Sequence, residues 1–142
     1  MPKFKSRYHK VLTLLAVIFL ALGSHIRITH ALTTGQEADI VLGQADFTGW
    51  RGNRWDSVAS NTLYLPIGIM YANNTLYVVD SYNYRVLIWN SLPTENGQSA
   101  DRVLGQPDLV SNGYPDEPND SNFYDPVDVY VNGDQLFVTD LS

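Results

Sequence analysis

Two blocks of this 142-residue chain occur twice. Residues 35–46 read GQEADIVLGQAD and residues 97–108 read GQSADRVLGQPD, an offset of 62. Residues 61–80 read NTLYLPIGIMYANNTLYVVD and residues 121–140 read SNFYDPVDVYVNGDQLFVTD, an offset of 60. In the second pair Tyr64 matches Tyr124, Pro66 matches Pro126, Leu76 matches Leu136, Val78 matches Val138 and Asp80 matches Asp140. The offsets differ because the second connecting loop is shorter by two residues. Two ordered blocks at nearly one spacing make this a repeat protein with about two copies of its unit, and a unit of this length must itself hold several elements.

The unit reads as strands. Residues 67–71 (IGIMY) and 76–80 (LYVVD) are β-branched and aromatic runs, with the turn composition Asn73-Asn74 between them. Asn132-Gly133-Asp134 takes that place in the second copy. RVLIWN (85–90) and the shorter DRVLG (101–105) supply a third and a fourth strand, separated by the polar loop 91–99. Short crossings predict an antiparallel meander of four strands. One such sheet cannot bury both faces alone, so the repeats are expected to pack face to face. The apolar stretch at 39–43 is expected to be a strand as well. Two long connections, Gln44 to Leu65 and Gln106 to Asp125, are the segments to watch for function.

The segment Pro66–Asn90, PIGIMYANNTLYVVDSYNYRVLIWN, resembles the NHL repeat. The matching positions are Pro66, Gly68, Ile69, Leu76, Tyr77, Val78, Asp80, Asn83, Arg85 and Val86. The VLGQ-x-D block resembles a long-period bacterial subtype of such proteins. The resemblance implies an all-β fold, an NHL-type β-propeller with four-stranded antiparallel blades. It places one blade at 66–105, an incomplete blade at 126–140, and the strand 39–43 in another incomplete blade. Pro66, Gly68, Asp80, Asn83, Arg85, Gly105, Pro126 and Asp140 then hold structural repeat positions. Gly68 is matched by Asp128, so the second copy carries a Cβ there. Propellers of this kind often have six blades, so the expectation is an N-terminal fragment, a truncated gene or an incomplete gene model.

The N-terminus follows different rules. Lys3, Lys5, Arg7, His9 and Lys10 precede Val11–Leu22, an apolar run broken only by Thr13, and small residues follow at Thr29 and Ala31. This is the layout of a secretory signal peptide over residues 1–31, with cleavage after Ala31 and a site near Gly23 as the alternative. The run is short of the roughly twenty residues that a spanning helix needs, so no stable membrane span is expected after cleavage. The expected location is periplasmic or secreted. Beyond residue 31 the chain carries Arg51, Arg54, Arg85 and Arg102 against all fifteen carboxylates, a net −11. Such a surface repels phosphate backbones, so nucleic acid is not an expected partner.

The chemistry available is narrow. There is no cysteine, and His9, His25 and His30 all lie within the leader. The exported part therefore offers no thiolate, no Ser-His triad and no His-ligated metal, and no cofactor, metal or catalytic residue is expected. Asp80 and Asp140 end their strands beside turns. They read either as carboxylates facing a channel or as side chains bonding the amides of the following turn. Asp116, Glu117, Asn119, Asp120, Asn122 and Asp125 could offer oxygens to calcium, but without the spacing of an EF-hand, and a solvated acidic loop is the simpler reading. Trp50, Arg51, Arg54 and Trp55 in GWRGNRWDS are the candidate ligand-binding residues, since exposed Trp and Arg dominate binding hot spots. The competing reading packs the tryptophans beneath the loop. The expected role is a binding or scaffold module for protein, peptide or carbohydrate. The alternatives are a fragment of a propeller lyase or hydrolase whose catalytic residues lie in other blades, and a non-functional remnant.

Overall fold

The computed structural model describes residues 32–117 and 119–141. The chain divides into two compact units, Met1–Gln36 and Glu37–Ser142. The signal segment expected over residues 1–31 lies outside the described residues. The described part of the first unit is a turn in which the Gln36 amide donates to the Thr33 carbonyl at 3.1 Å. Among the described residues no helix is long and apolar enough to cross a membrane.

The second unit is all-β: of the described residues 31% lie in strands against 6% in helices. Strands β1 (Pro66–Ala72), β2 (Thr75–Asp80), β3 (Arg85–Trp89) and β4 (Arg102–Leu104) form one antiparallel sheet in chain order. Strands β5 (Pro126–Asn132) and β6 (Gln135–Asp140) form a second. The four runs rich in β-branched and aromatic residues thus became the four strands. The hairpin between β1 and β2 turns on Asn73 (φ 50°) and Asn74 (φ 61°). A two-residue turn needs this left-handed pair, and asparagine tolerates it. Gly133 (φ 59°) opens the turn in the second hairpin. The Asn73 side-chain amide donates to the Gly133 carbonyl at 2.9 Å, tying the two hairpin tips together.

The repeat in sequence is also a repeat in register. Pro66 pairs with Asp80 and Gly68 with Val79, with an irregularity between Pro66 and Gly68. Sixty residues on, Pro126 pairs with Asp140 and Asp128 with Thr139, with the same irregularity. Gly43 (φ 79°) and Gly105 (φ 85°) occupy one position of the VLGQ block. A Cβ at Gly43 would press on Leu63, and one at Gly105 on the Phe123 ring. Leu63 and Phe123 are themselves repeat equivalents. Glycine lets this turn take a left-handed conformation while the residue before the next strand closes over it.

Both faces of the first sheet are covered at β3, while Ile67, Ile69 and Tyr71 of β1 stay exposed. On one face Leu76, Val78, Leu87 and Trp89 pack with Leu63 and Ala100, and Leu42, Val103 and Leu109 close the edges. On the other, Val79, Val86 and Ile88 meet Val129 of β5, flanked by Met70, Leu136 and Val138. β3 is buried along its whole length for this reason, which explains a run, RVLIW, with no polar alternation. Each fully buried Val, Leu or Ile contributes about 1.5–3 kcal/mol relative to exposure.

Residues 39–43 correct the sequence reading. They form no strand ladder. The Val41 carbonyl accepts from the Gly97 amide at 2.8 Å, and the Val41 amide donates to Asn96 Oδ1 at 3.0 Å. This segment is held by the polar loop after β3, while Leu42 packs on the first core. The apolar pattern recorded burial, and burial alone does not supply a neighbouring strand to pair with.

Candidate functional site

The start of β1 faces the end of β2, and the same end of the sheet holds the start of β3 and the end of β4. The start of β5 and the end of β6 meet in the same way. The short link 81–84 and the long connections 44–65 and 106–125 therefore leave or enter the sheets at matching strand ends. Beneath them lies a buried polar network. Asp80 and Arg85 are fully buried and pair at 2.8 Å between Asp80 Oδ2 and Arg85 Nε. Asp80 also accepts from the Tyr64 amide at 2.6 Å and from Asn83 Nδ2 at 2.8 Å. Arg85 donates onward to the carbonyls of Leu109 at 2.7 Å and of Ala59 and Thr62 at 3.0 Å. One guanidinium thus fastens both long connections to the sheet. Burial pushes the Asp80 carboxyl above its ordinary 3.8, against the pull of the Tyr64 amide, Asn83 and Arg85. Its partners are an upstream amide and two side chains, not the amides of the following turn.

Asn53 belongs to the same network, which its sequence context did not announce. It is buried, and its side chain exchanges two hydrogen bonds with Asn83, at 3.0 and 2.9 Å. Asn53, Arg54 and Trp55 are consecutive non-glycine residues with φ of 48°, 55° and 64°. Residues in this region cost about 1–3 kcal/mol each and persist only where the surroundings fix them. Here the Asn53 amide donates to the Leu63 carbonyl at 2.9 Å, and Gln44 Nε2 to the Arg51 carbonyl at 2.7 Å.

That strained turn presents the candidate residues. The Arg51 guanidinium carbon lies 3.4 Å from the Trp50 ring centroid and 3.8 Å from that of Trp55. The cation is stacked between two indoles that are themselves 73% and 74% exposed. The tryptophans do not pack beneath the loop. With Gln44, Asp46 and Thr48 they border a cleft of about 270 Å³. Arg54 borders the same cleft, yet its Nε donates to the Gly43 carbonyl at 3.2 Å and its Nη2 to the Asn61 carbonyl at 2.8 Å. Arg54 holds the loop, whereas Trp50 and Trp55 face outward with the half-buried Arg51 between them, its Nε covered and without a hydrogen-bond partner.

The remaining acidic candidates are local braces. Asp140 is exposed and accepts the amides of Tyr124 at 2.9 Å and Asp125 at 2.6 Å. In the acidic loop Asn119 accepts the Ser121 amide and Asn122 donates to the Glu117 carbonyl. No three acidic or histidine side chains converge as metal ligands among the described residues. Asp46 and Asp108, equivalent in the two VLGQ-x-D blocks, each fold back on the residues after them. The Thr48 hydroxyl and amide hold Asp46 below 3.8, and the Ser111 hydroxyl and Val110 amide do the same for Asp108. A depressed carboxyl lends its stability above pH 3.8 and loses it as pH falls through the folded value, while the raised Asp80 has the opposite sign. Carbon-detected titration of the two carboxyls is expected to give midpoints below 3.8 for Asp46 and Asp108. A midpoint at or above that value in either would remove the turn bonds from the account.

A second recess was not legible as a site in the sequence. Tyr82, Tyr84, Tyr114 and Tyr124 line a cavity of about 410 Å³ with Ser81 and Asp125. Tyr84 and Tyr114 meet edge to face with centroids 5.1 Å apart, and Tyr114 and Tyr124 do so at 5.2 Å. The Ser81 hydroxyl donates to Asp125 at 2.9 Å, linking the β2–β3 turn to the entry of β5. Loss of solvent pushes the Tyr124 phenol above 10.0, reinforced by Tyr114 and by the carboxylates of Glu117 and Asp116.

No protein-family model, curated protein or solved structure matches the chain.

Proposed function

We propose that this chain is part of an exported NHL-type β-propeller that serves as a binding or scaffold module for protein, peptide or carbohydrate. Support for the architecture comes from the repeated register and from the stacking of one sheet on the next through Val79, Val86, Ile88 and Val129. In a propeller each blade packs on its neighbour in this way. Support for export, to a periplasm or beyond the cell, comes from the leader-like residues 1–31 and the net −11 that follows them.

The observation that carries the binding reading is the exposed Trp50–Arg51–Trp55 stack on a strained loop. Indoles held rigid by a neighbour lose little entropy on meeting a ligand, and stacked arginine orients its edge for acceptor groups. The buried network beneath the stack is a foundation for the loop. Trp50 and Trp55 are exposed while Trp89 is buried, so ligand-induced changes in tryptophan emission report on this loop. Titration of the full chain with a panel of neutral and acidic oligosaccharides and short peptides is expected to shift that emission for one class. Followed by calorimetry, since it lacks both reporters, the Trp50→Ala/Trp55→Ala variant is expected to lose the affinity about a hundredfold, on the scale of two hot-spot side chains. A folded double variant that keeps full affinity would sink the assignment to this loop.

A further inference from the structure

We infer that the tyrosine-walled cavity between the β2–β3 turn and the second long connection is a binding site for an organic cation carrying a quaternary ammonium group. Its volume of about 410 Å³ falls within the usual range of small-molecule pockets, roughly 300–1,000 Å³. The chemistry of its walls is one-sided. Tyr82, Tyr84, Tyr114 and Tyr124 present aromatic surface, Ser81 and Asp125 present oxygen, and none of the arginines beyond residue 31 lines it. Arg51 and Arg54 border the other cleft, and Arg85 is committed to Asp80 and three backbone carbonyls.

Three features select the ligand class. The ring planes of Tyr84 and Tyr124 each stand at 77–83° to that of Tyr114. Rings turned at right angles to one another offer no single flat platform of the kind on which a sugar lies. The negative π-faces of such walls attract a cation, most strongly one that sheds its water easily, as a methylated ammonium does. Asp125 lines the cavity and Asp116 and Glu117 lie close enough to act on Tyr124, so the field of the site disfavours anions. Tyr114 is 60% exposed and Tyr82 53% exposed. Burying that aromatic surface against methyl groups adds an apolar gain to the electrostatic one.

This site is separate from the Trp50–Arg51–Trp55 cleft and does not rest on its role. The test is calorimetric titration of the full chain with choline and with 3,3-dimethylbutan-1-ol, its uncharged isostere. Choline is expected to bind at least about tenfold more tightly than the isostere, the scale of a desolvated cation–π contact. Tyr114→Ala is expected to weaken choline about tenfold and Tyr114→Phe to preserve it, while Trp50→Ala leaves it unchanged. Tyr114→Phe should melt with the parent, and Tyr114→Ala, which gives up two edge-to-face contacts of a largely exposed ring, somewhat below it but folded. Equal affinity for the two isosteres, no binding of choline to the folded parent chain, or an equal loss in Trp50→Ala would each overturn the inference. Sedimentation with phosphatidylcholine vesicles then separates two sources of the same group. Co-sedimentation that Tyr114→Ala abolishes identifies a lipid headgroup, and binding of choline without co-sedimentation identifies a free ligand; both support the site.

Discussion

Asp80→Ala is expected to destabilise the four-stranded unit by about 3–5 kcal/mol, enough to unfold a domain of ordinary marginal stability. The change removes the acceptor for three donors at once: the Tyr64 amide, the Asn83 side chain and Arg85 Nε. It also leaves a fully buried guanidinium without its counter-charge. Asp140 is the repeat equivalent and bonds two amides, but it is exposed, so water replaces the lost acceptor. Asp140→Ala is expected to cost no more than about 1 kcal/mol. Asp80→Asn should fall between the two and nearer Asp80→Ala, since the buried Arg85 again loses its counter-charge. It stays above Asp80→Ala because burial already disfavours the Asp80 carboxylate, and an amide oxygen keeps part of the bonding without that penalty. Urea melts of the four proteins, compared by midpoint at constant slope, check the order. Equal losses at Asp80 and Asp140 would mean that the buried network does not hold the unit together.

The strands were legible because each copy writes them in β-branched and aromatic runs. The reading placed them at 67–71, 76–80, 85–90 and 101–105; the sheet has them at Pro66–Ala72, Thr75–Asp80, Arg85–Trp89 and Arg102–Leu104. Packing of the repeats face to face was expected because one such sheet cannot bury both faces alone. What composition could not carry was partnership over distance. Val41 belongs to an apolar segment that looks like a strand, yet its backbone partners are Asn96 and Gly97 of a loop. Asn53 pairs with Asn83 thirty residues away, and only its place in a run of left-handed backbone makes the exchange possible. Exposure of the tryptophans was readable as one of two options, and the Arg51 stack between them settled the geometry. The tyrosine cavity was missed because Tyr82, Tyr84, Tyr114 and Tyr124 are scattered along the chain. They converge only once the start of β5 lies beside the β2–β3 turn. The recurrence of Tyr64 as Tyr124 was the one available hint, and on its own it reads as a core position.

Gly68→Asp is expected to cost at least about 3 kcal/mol, whereas the reverse change at the equivalent position, Asp128→Gly, costs less than about 1 kcal/mol. Sequence equivalence alone predicts that an aspartate is tolerated at both places. The structure separates them by what each faces. Gly68 is buried between its own register partner Val79 and the neighbouring strand β5. A Cβ there would lie 2.8 Å from the Val79 side chain, 3.0 Å from the Val127 carbonyl and 3.1 Å from the Asp128 backbone. Overpacking of this kind costs about 1–3 kcal/mol before charge is considered. The carboxylate would then sit unpaired at the seam between two sheets, with a further penalty of several kcal/mol unless it takes up a proton. Asp128 is exposed, and its side chain accepts the Val129 amide at 2.8 Å. Its loss removes only one solvent-accessible bond and adds the backbone freedom of a glycine. The pair of variants therefore measures the stacking of sheets that the propeller reading depends on. A Gly68→Asp protein that melts with the parent would mean that β5 does not rest against β1 and β2 in solution. The four-stranded sheet and the β5–β6 hairpin would then be independent and not consecutive blades.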